Sequence, residues 1–170
     1  LDWGAQVTTI RRGQDTTAVL GHRLSEMKLL NECMNYANEC IVYRLNTGTQ
    51  AQGTLASGIT AKAVYGGTRG NDITVTGKPS DSKFVIKTVL GTVEQDSQIV
   101  SGPDGFVPNG FISIEGSGTL AEATVKLENG TDGATEDYES YFAEIQKHEY
   151  NVMAYTGSDK ETAQKIIDFI

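Results

Sequence analysis

The sequence predicts a mixed α/β body that is interrupted by an inserted all-β unit. An amphipathic helix and an apolar strand precede residue 46, short β-rich runs broken by turn residues follow, and a helix–strand–helix pattern begins near residue 130. We therefore expect residues 1–46 to be the first part of an α/β domain, residues 47–129 an inserted antiparallel β-sandwich, and residues 130–170 the second part of the α/β domain.

The first segment contains one predicted helix and one predicted strand. The helix runs from Ser25, a candidate N-cap, to about Asn38. The strand Cys40 to Leu45 is continuously apolar at its centre, which is typical of a strand covered on both faces. Four residues at spacings of three and four form the apolar face of the helix: Met27, Leu30, Met34 and Ala37.

The middle segment has short β-prone runs at spacings near ten residues, which favour a β-sandwich or an open barrel. A glycine-rich loop interrupts the early runs, where we expect Gly66, Gly67, Gly70 and Asn71 to adopt positive φ angles. The predicted strands are Thr60 to Tyr65, Ile73 to Thr76, Lys83 to Val89, Thr92 to Val100, Phe111 to Glu115 and Ala123 to Leu127.

The last segment returns to helices around one predicted strand. Thr135 is expected to cap a helix with an acidic first turn, the strand spans Tyr150 to Tyr155, and Ser158 with Glu161 has capping-box spacing. The apolar faces of the two helices comprise Tyr138, Tyr141, Phe142 and Ile145 in the first and Ala163, Ile166, Ile167 and Ile170 in the second.

Composition excludes several classes of function. The chain has 170 residues, of which 38% are hydrophobic, and this suffices for a core without disulfides. A formal net charge of −8, with Arg11 and Arg12 as the one adjacent basic pair, opposes binding to nucleic acid. No apolar run reaches roughly 18 residues, and the first residues are not a signal peptide. Because the chain opens on Leu-Asp-Trp-Gly without a methionine, we expect a fragment of a longer protein.

The sequence does not favour a catalytic function. A hydrolytic triad would need His22 or His148 beside a serine and a carboxylate, and the G-x-S-x-G motif that presents such a serine is missing from the sequence. Cys33 and Cys40 match no zinc or redox spacing, so we expect two free thiols, buried or half-buried.

Two further stretches invite ligand-binding interpretations. The loop Gly66 to Asn71 lacks phosphate-loop spacing and leads into a strand, so we interpret it as a shaped β connection; Arg69 in it is either solvated or a donor to a neighbouring subunit. A calcium-loop count begun at Glu128 places Asp132, Gly133 and Glu139 correctly but puts Gly130 where a ligand is needed. We predict no catalytic, cofactor-binding or metal-binding residues and no cofactor.

Five pieces of the sequence, in order, carry a resemblance to a known family. They are LDWG at the start, VYRLNTG before the β segment, TAKAVYGGTRGNDITV within it, LENGTDG at its end and YNVMAYTG after it. Taken together over essentially the whole chain, they resemble the phage tail sheath proteins, the subunits of contractile tails and related injection machines.

The resemblance implies a fold and a function. It implies a fragment of a subtilisin-like α/β domain, without the catalytic triad, interrupted by an inserted β-sandwich. It further implies a structural, non-enzymatic subunit that polymerises helically around a tail tube and contracts, without consuming nucleotide, to drive the tube through a cell envelope. The implied partners are other sheath subunits, tail tube and baseplate, with no nucleic acid or membrane, in a virion tail or tail-like particle assembled in the bacterial host cytoplasm.

Two other classes of function stay open at this point. A β-sandwich adhesion or carbohydrate-binding module would display an exposed aromatic cluster, but the sole tryptophan, Trp3, lies far from the β segment in sequence. A hydrolase on a subtilisin-like scaffold would require His22 or His148 to act as a base. Because the resemblance implies terminal arms that this chain does not include, we expect the chain to be monomeric. The sheath interpretation also predicts that Cys40 to Leu45 and Tyr150 to Tyr155 lie in one sheet.

Overall fold

The computed structural model describes residues 1–134, 136–155 and 157–170. It has a mixed helix-and-sheet fold in which all strand pairing within the three sheets is antiparallel. The strands are β1 Val7–Arg11, β2 Glu39–Tyr43, β3 Gln50–Ala56, β4 Ile59–Gly66, β5 Ile73–Ser80, β6 Lys83–Leu90, β7 Val93–Val100, β8 Ile112–Gly116 and β9 Ala123–Lys126. The helices are α1 Thr17–Leu20, α2 Lys28–Tyr36, α3 Tyr138–Ile145 and α4 Lys160–Phe169.

Strands β3 to β9 form two sheets that share one core, and we call this region the β unit. One sheet has the order β3-β4-β8 and the other the order β7-β6-β5-β9. Strict alternation along β4 and β5 directs Ile59, Ala61, Ile73 and Val75 inward, where all four are fully buried. All six strands predicted for this segment are confirmed, with ends that differ by one residue except in β5, which is four residues longer.

The remaining elements, β1, β2 and α1 to α4, and the residues that connect or follow them outside the β unit are called the flanks. β1 and β2 form a two-stranded sheet with Val7 opposite Tyr43 and Arg11 opposite Glu39. Ile10, Leu20 and Met34 form a small core against it. The predicted double covering of β2 is wrong, because residues 40–43 are only half-buried and the sheet has two strands.

The helices of the flanks agree with the predicted positions, but their caps do not. α2 begins at Lys28 rather than near Ser25, which instead lies in a short 3₁₀ turn, Leu24–Glu26. Asp159 rather than Ser158 caps α4, since its carboxylate accepts a hydrogen bond from the backbone N–H of Thr162 at 2.7 Å. Asp137 caps α3 in the same way, and the predicted cap Thr135 lies outside the described residues.

The strand predicted for Tyr150 to Tyr155 is wrong. Residues 150–155 have no strand, and Val152 is 83% exposed. A β-prone run forms a strand only where a neighbour supplies the hydrogen-bonding partner, and in the described residues β1 is the one strand that pairs with β2. The predicted sheet joining Cys40 to Leu45 with this run is therefore not formed, and the sheath resemblance has to be judged on other grounds.

In the parts of the chain that the structure describes, every helix is too short or too polar to cross a lipid bilayer.

Candidate functional site at the glycine-rich junction

Three backbone passages that are far apart in sequence meet at one place, which we call the junction. They are the lead-in to β3 at residues 47–49, the loop after β4 at residues 66–71, and the segment after β9 at residues 129–133. The hydroxyls of Thr49 and Thr131 lie 2.9 Å apart, and the backbone N–H of Gly67 donates to the carbonyl of Thr49 at 3.0 Å. The junction therefore holds the beginning and the end of the β unit side by side.

Glycine is required where these passages touch. A Cβ on Gly48 would lie 1.6 Å from the carbonyl oxygen of Thr131. Gly67 has a φ of +138°, and a Cβ there would lie 1.8 Å from the carbonyl oxygen of Asp2. The backbones thus approach more closely than any side chain permits, which explains the glycine density of the loop.

Asn71 contributes through its side chain, not through its backbone as predicted. Of the four loop residues for which a positive φ was predicted, only Gly67 has one. Asn129 has a positive φ instead, at +65°, and Gly66, Gly70 and Asn71 do not. The side-chain amide of Asn71 donates to the carbonyl of Gly130 at 2.9 Å and accepts from the N–H of the same residue at 2.8 Å. This double hydrogen bond satisfies both backbone groups of a residue 59 positions away.

Arg44 lies at the base of the junction and is 3% exposed. Its guanidinium donates to three neutral acceptors: the side chain of Asn46 at 3.2 Å and the carbonyls of Gly4 at 3.3 Å and Gly66 at 2.5 Å. Its Nη2 atom is buried and has no hydrogen-bond partner in the described part of the chain. Burial lowers the pKa of this guanidinium, while the charges of Asp132 and Asp2 oppose that effect.

Trp3 connects the N-terminal segment to the core of the β unit. Its ring is 1% exposed, meets Tyr65 edge-on at 5.4 Å and stacks on Phe111 at 6.4 Å. Its indole N–H donates to the carbonyl of Ala18 at 2.9 Å. Sequence reasoning treated Trp3 as remote from the β segment, and no local pattern reveals this long-range packing.

The two histidines are placed beside carboxylates. His22 Nε2 lies 2.9 and 3.0 Å from the two oxygens of Asp2, and its Nδ1 lies 3.9 Å from Glu26. His148 Nε2 lies 3.4 Å from Glu144, one helical turn earlier. Each ring therefore lies within hydrogen-bonding distance of a carboxylate, and His22 links the N-terminal segment to the flanks.

Arg69 is engaged by other parts of the chain and is not fully solvated, since its side chain is only 23% exposed. Its Nε donates to the carbonyl of Gly21 at 2.8 Å, and its guanidinium pairs with Asp72 at 3.0 Å. The backbone N–H of Arg69 donates to the carbonyl of Asp2 at 3.2 Å. Arg69 therefore binds the loop after β4 to the flanks and to the N-terminal segment.

The segment that begins at Glu128 and resembled a calcium loop is held by internal hydrogen bonds. Asp132 accepts from the backbone N–H of Thr68 at 2.7 Å and from its hydroxyl at 2.9 Å. Glu128 pairs through its backbone with Gln52. Within residues 1–134, 136–155 and 157–170, no three His, Cys, Asp or Glu side chains converge as a metal site would require.

Both cysteines are free thiols and half-buried, as predicted. Burial raises the pKa of the Cys40 thiol, and the neighbouring Cys33 raises it further. A raised pKa keeps a thiol protonated and therefore unreactive at neutral pH.

What the junction can do is mechanical. Its hydrogen bonds join the three passages, Arg44 and the N-terminal segment at the boundary between the β unit and the flanks. Several of its contacts are close backbone approaches that leave little room for adjustment. The junction thus fixes how the two regions are connected.

Comparison with solved structures decides the family. The crystal structure of the sheath tail protein from Desulfitobacterium hafniense matches 99% of this chain and 43% of that protein, with a TM-score of 0.90 and 33% identity. The sheath tail protein from Listeria innocua matches 99% of this chain and 41% of that protein, with a TM-score of 0.84 and 27% identity. The chain is a relative of the phage tail sheath proteins. The resemblance drawn from the five sequence pieces is confirmed.

Two curated sequence relatives also match most of the chain. The phage-like element PBSX protein XkdK of Bacillus subtilis is 28% identical over 180 residues, covering 89% of this chain and 39% of the relative. The uncharacterized protein YqbK of the same organism is 31% identical over 157 residues, covering 78% of this chain and 34% of the relative. The chain thus spans less than half the length of the proteins that it matches. No protein-family model matches the chain.

Proposed function

We propose that this chain is part of a structural subunit of a contractile tail sheath. Such a subunit polymerises helically around a tail tube and contracts to drive the tube through a cell envelope. The observation that carries the proposal is the match to the Desulfitobacterium hafniense sheath tail protein, with a TM-score of 0.90 at 33% identity over 99% of this chain. Similarity of fold and sequence over the whole chain supports a shared structural role.

Within this proposal, residues 47–129 are an inserted β-sandwich domain, and residues 1–46 and 130–170 are two parts of one subtilisin-like α/β domain. An inserted domain must leave and rejoin its host at neighbouring points. The adjacency of Thr49 and Thr131 fulfils that requirement, with a hydrogen bond from the N–H of Thr131 to the carbonyl of Thr49 at 3.2 Å. Separate buried cores in the β unit and the flanks support the same division.

The proposed partners are other sheath subunits, the tail tube and the baseplate, in a virion tail or tail-like particle assembled in the host cytoplasm. Large apolar side chains exposed on the flanks support subunit contacts there, since such surfaces are costly in water. They include Leu29, Tyr36, Val152, Ile167 and Ile170, which are 51 to 91% exposed. The β unit is then peripheral to the main polymer contacts.

Contraction needs two packings of the same subunits that differ in free energy. Each contact contributes little, but the difference adds up along a polymer of identical subunits. The proposed role is therefore non-enzymatic, with no nucleotide, cofactor, nucleic acid or membrane involved.

The test is deletion of the gene in the producing bacterium, followed by electron microscopy of the particles. We expect bare tubes or no tails, and restoration of striated, contractile sheaths by the gene in trans. A complementing copy with His22→Gln and His148→Gln should restore sheaths as well, because the proposal assigns the histidines no chemistry. Normal sheaths in the deletion strain would overturn the proposal.

A further inference from the structure

One face of the four-stranded sheet in the β unit is rich in lysine, and we call it the lysine face. Strand alternation buries Val75 and Ile86, so their neighbours along the strands point outward. In register, Thr76 lies opposite Lys87, Ser80 opposite Lys83, and Thr74 opposite Lys126. Four of the nine lysines of a chain with net charge −8 share this face: Lys78, Lys83, Lys87 and Lys126.

The lysine face has an apolar centre. Val85 lies opposite both Lys78 on β5 and Ile99 on β7, and Ile99 is 67% exposed. A groove of about 420 Å³ follows β5 and β6 there, lined by Thr76, Lys78, Pro79, Ser80, Val85 and Lys87. An apolar centre with a charged rim has the composition of a protein-binding surface.

The charges of the lysine face are mostly without internal neutralisation. Lys87 pairs with Glu94 at 2.7 Å. Among the described residues, the other three lysines of the face form no ion pair. An uncompensated cluster of like charges is favourably placed for a partner of opposite charge.

The opposite charge is concentrated elsewhere in the chain, in residues 136–149, which we call the acidic stretch. It carries five carboxylates and one lysine, which is half of the net charge of the chain. Glu136, Glu139 and Glu149 are exposed. The stretch contains α3 and is anchored to β2, since Tyr141 packs edge-on against Tyr43 at 5.2 Å.

We propose that the lysine face binds the acidic stretch of a second copy of this chain. The inference rests on the proposed sheath function. It adds to the principal contacts of the flanks a second contact, between the β unit of one subunit and the flanks of its neighbour. The two surfaces are different, one on the four-stranded sheet of the β unit and the other on and around α3 in the flanks, so the contact is head-to-tail. A head-to-tail contact whose rotation does not close into a ring generates an open helical array, as a sheath requires.

The test uses charge reversal in the full-length protein, expressed in a strain that lacks its own copy. Lys78→Glu with Lys126→Glu is one variant, Glu136→Lys with Glu139→Lys is the second, and the third combines all four changes. Lys28→Glu with Lys160→Glu is the matched control, because it reverses two exposed lysines outside the lysine face. The readout is the fraction of tails with a complete sheath in electron micrographs.

We expect each double variant to lower that fraction about tenfold, the combined variant to restore it to within about threefold of wild type, and the control to leave it unchanged. Thermal unfolding midpoints within about 2 °C of wild type show that the variants fold. Full sheath assembly by the first two variants, or no restoration by the third, would overturn the inference while leaving the proposed function intact.

A second readout identifies the contact directly. Assembled sheaths that mix ¹⁴N- and ¹⁵N-labelled subunits are treated with a zero-length carbodiimide, which joins a lysine to a carboxylate in contact with it. We expect mixed-label peptides joining Lys78 or Lys126 to Glu136 or Glu139. Cross-links of these lysines to other segments only would overturn the inference, and failure of the wild-type protein to form any sheath would overturn the proposed function together with it.

Discussion

Ile86 in the β unit and Met34 in the flanks lie in cores of very different size. Among the described residues, the cluster that contains Ile86 has sixteen buried apolar side chains, whereas the cluster of Met34 has three, the other two being Ile10 and Leu20. Exposed large apolar residues are concentrated in the flanks, where Tyr36 is 91% and Val152 83% exposed. The β unit therefore contains the larger buried core, while the flanks leave apolar surface for other contacts.

The largest difference between the regions should appear on truncation of the larger core. Ile86→Ala removes a fully buried side chain from the β unit and should lower the free energy of unfolding by about 2–5 kcal/mol. Ile99→Ala on the neighbouring strand is the matched control and should change it by at most about 0.5 kcal/mol, because Ile99 is exposed. Denaturant unfolding measures both, and equal losses would contradict the assignment of the core.

The next effect concerns the junction between the regions. Gly67→Ala should lower the free energy of unfolding by about 2–3 kcal/mol, because the positive φ and the contact with the Asp2 carbonyl both resist a Cβ. Gly102→Ala is the control, since Gly102 is extended and has open space around its Cβ position. If Gly67→Ala lowers the free energy of unfolding no more than Gly102→Ala does, the junction adjusts to a Cβ at residue 67 at little cost.

The hydrogen bonds of Arg44 provide a second test of the junction. Arg44→Lys should destabilise by about 1–2 kcal/mol, because one ammonium group cannot reach acceptors on three segments as the guanidinium does. Arg11→Lys should have almost no effect, since the exposed pair of Arg11 with Glu39 is screened by water. If the two substitutions are equivalent in thermal unfolding, Arg44 does not hold the junction.

Acid should affect the β unit through Asp96. Hydrogen bonds from Asn109, and next from Gln98, hold the pKa of this carboxyl below its usual value, although burial opposes them. The resulting stabilisation is present above about pH 4, the usual pKa, and is lost as the pH falls through the lower folded value. Asp96→Asn and Asn109→Ala should both flatten the pH dependence of unfolding below pH 4, and an unchanged slope in either would refute this role.

Alkali should affect the flanks through Tyr138, with the smallest effect. Burial first, and then a hydrogen bond with Tyr155, raise the pKa of Tyr138 to about 12. Because the folded state favours the neutral phenol, its stabilisation is complete below about pH 10 and is lost between about pH 10 and 12. Tyr138→Phe should remove that part of the alkaline loss of helix signal in circular dichroism, and a wild-type profile in the variant would contradict the assignment.

The sequence predicted most of the β unit because its strands carry local signals. β-Branched runs between turn residues identify β4 to β9, whereas β3 was missed because Gly53 and two glutamines weaken its pattern. Gly53 is needed there for packing, since a Cβ would lie 2.4 Å from a methyl of Val125 on the opposite sheet. Strand β1, a five-residue run with two threonines, was missed for the same lack of apolar alternation.

The failures lie where distant segments decide local structure. Residues 150–155 are β-prone but have no strand beside them, so they do not form one. The glycine loop was correctly interpreted as a shaped connection, but its partners, Asp2, Thr49 and Gly130, are long-range contacts that no spacing reveals. Helix caps shifted by one or more residues because several polar residues compete at each helix start.

The most direct test of the whole account is a cryo-electron microscopy reconstruction of purified tails from the producing bacterium. We expect each subunit of the helical outer layer to contain one copy of this fold. The flanks should lie at the principal subunit contacts, and the lysine face should lie against residues 136–149 of a neighbour. Density for this fold in a fibre or a baseplate instead, or a sheath layer built from a different fold, would contradict the account.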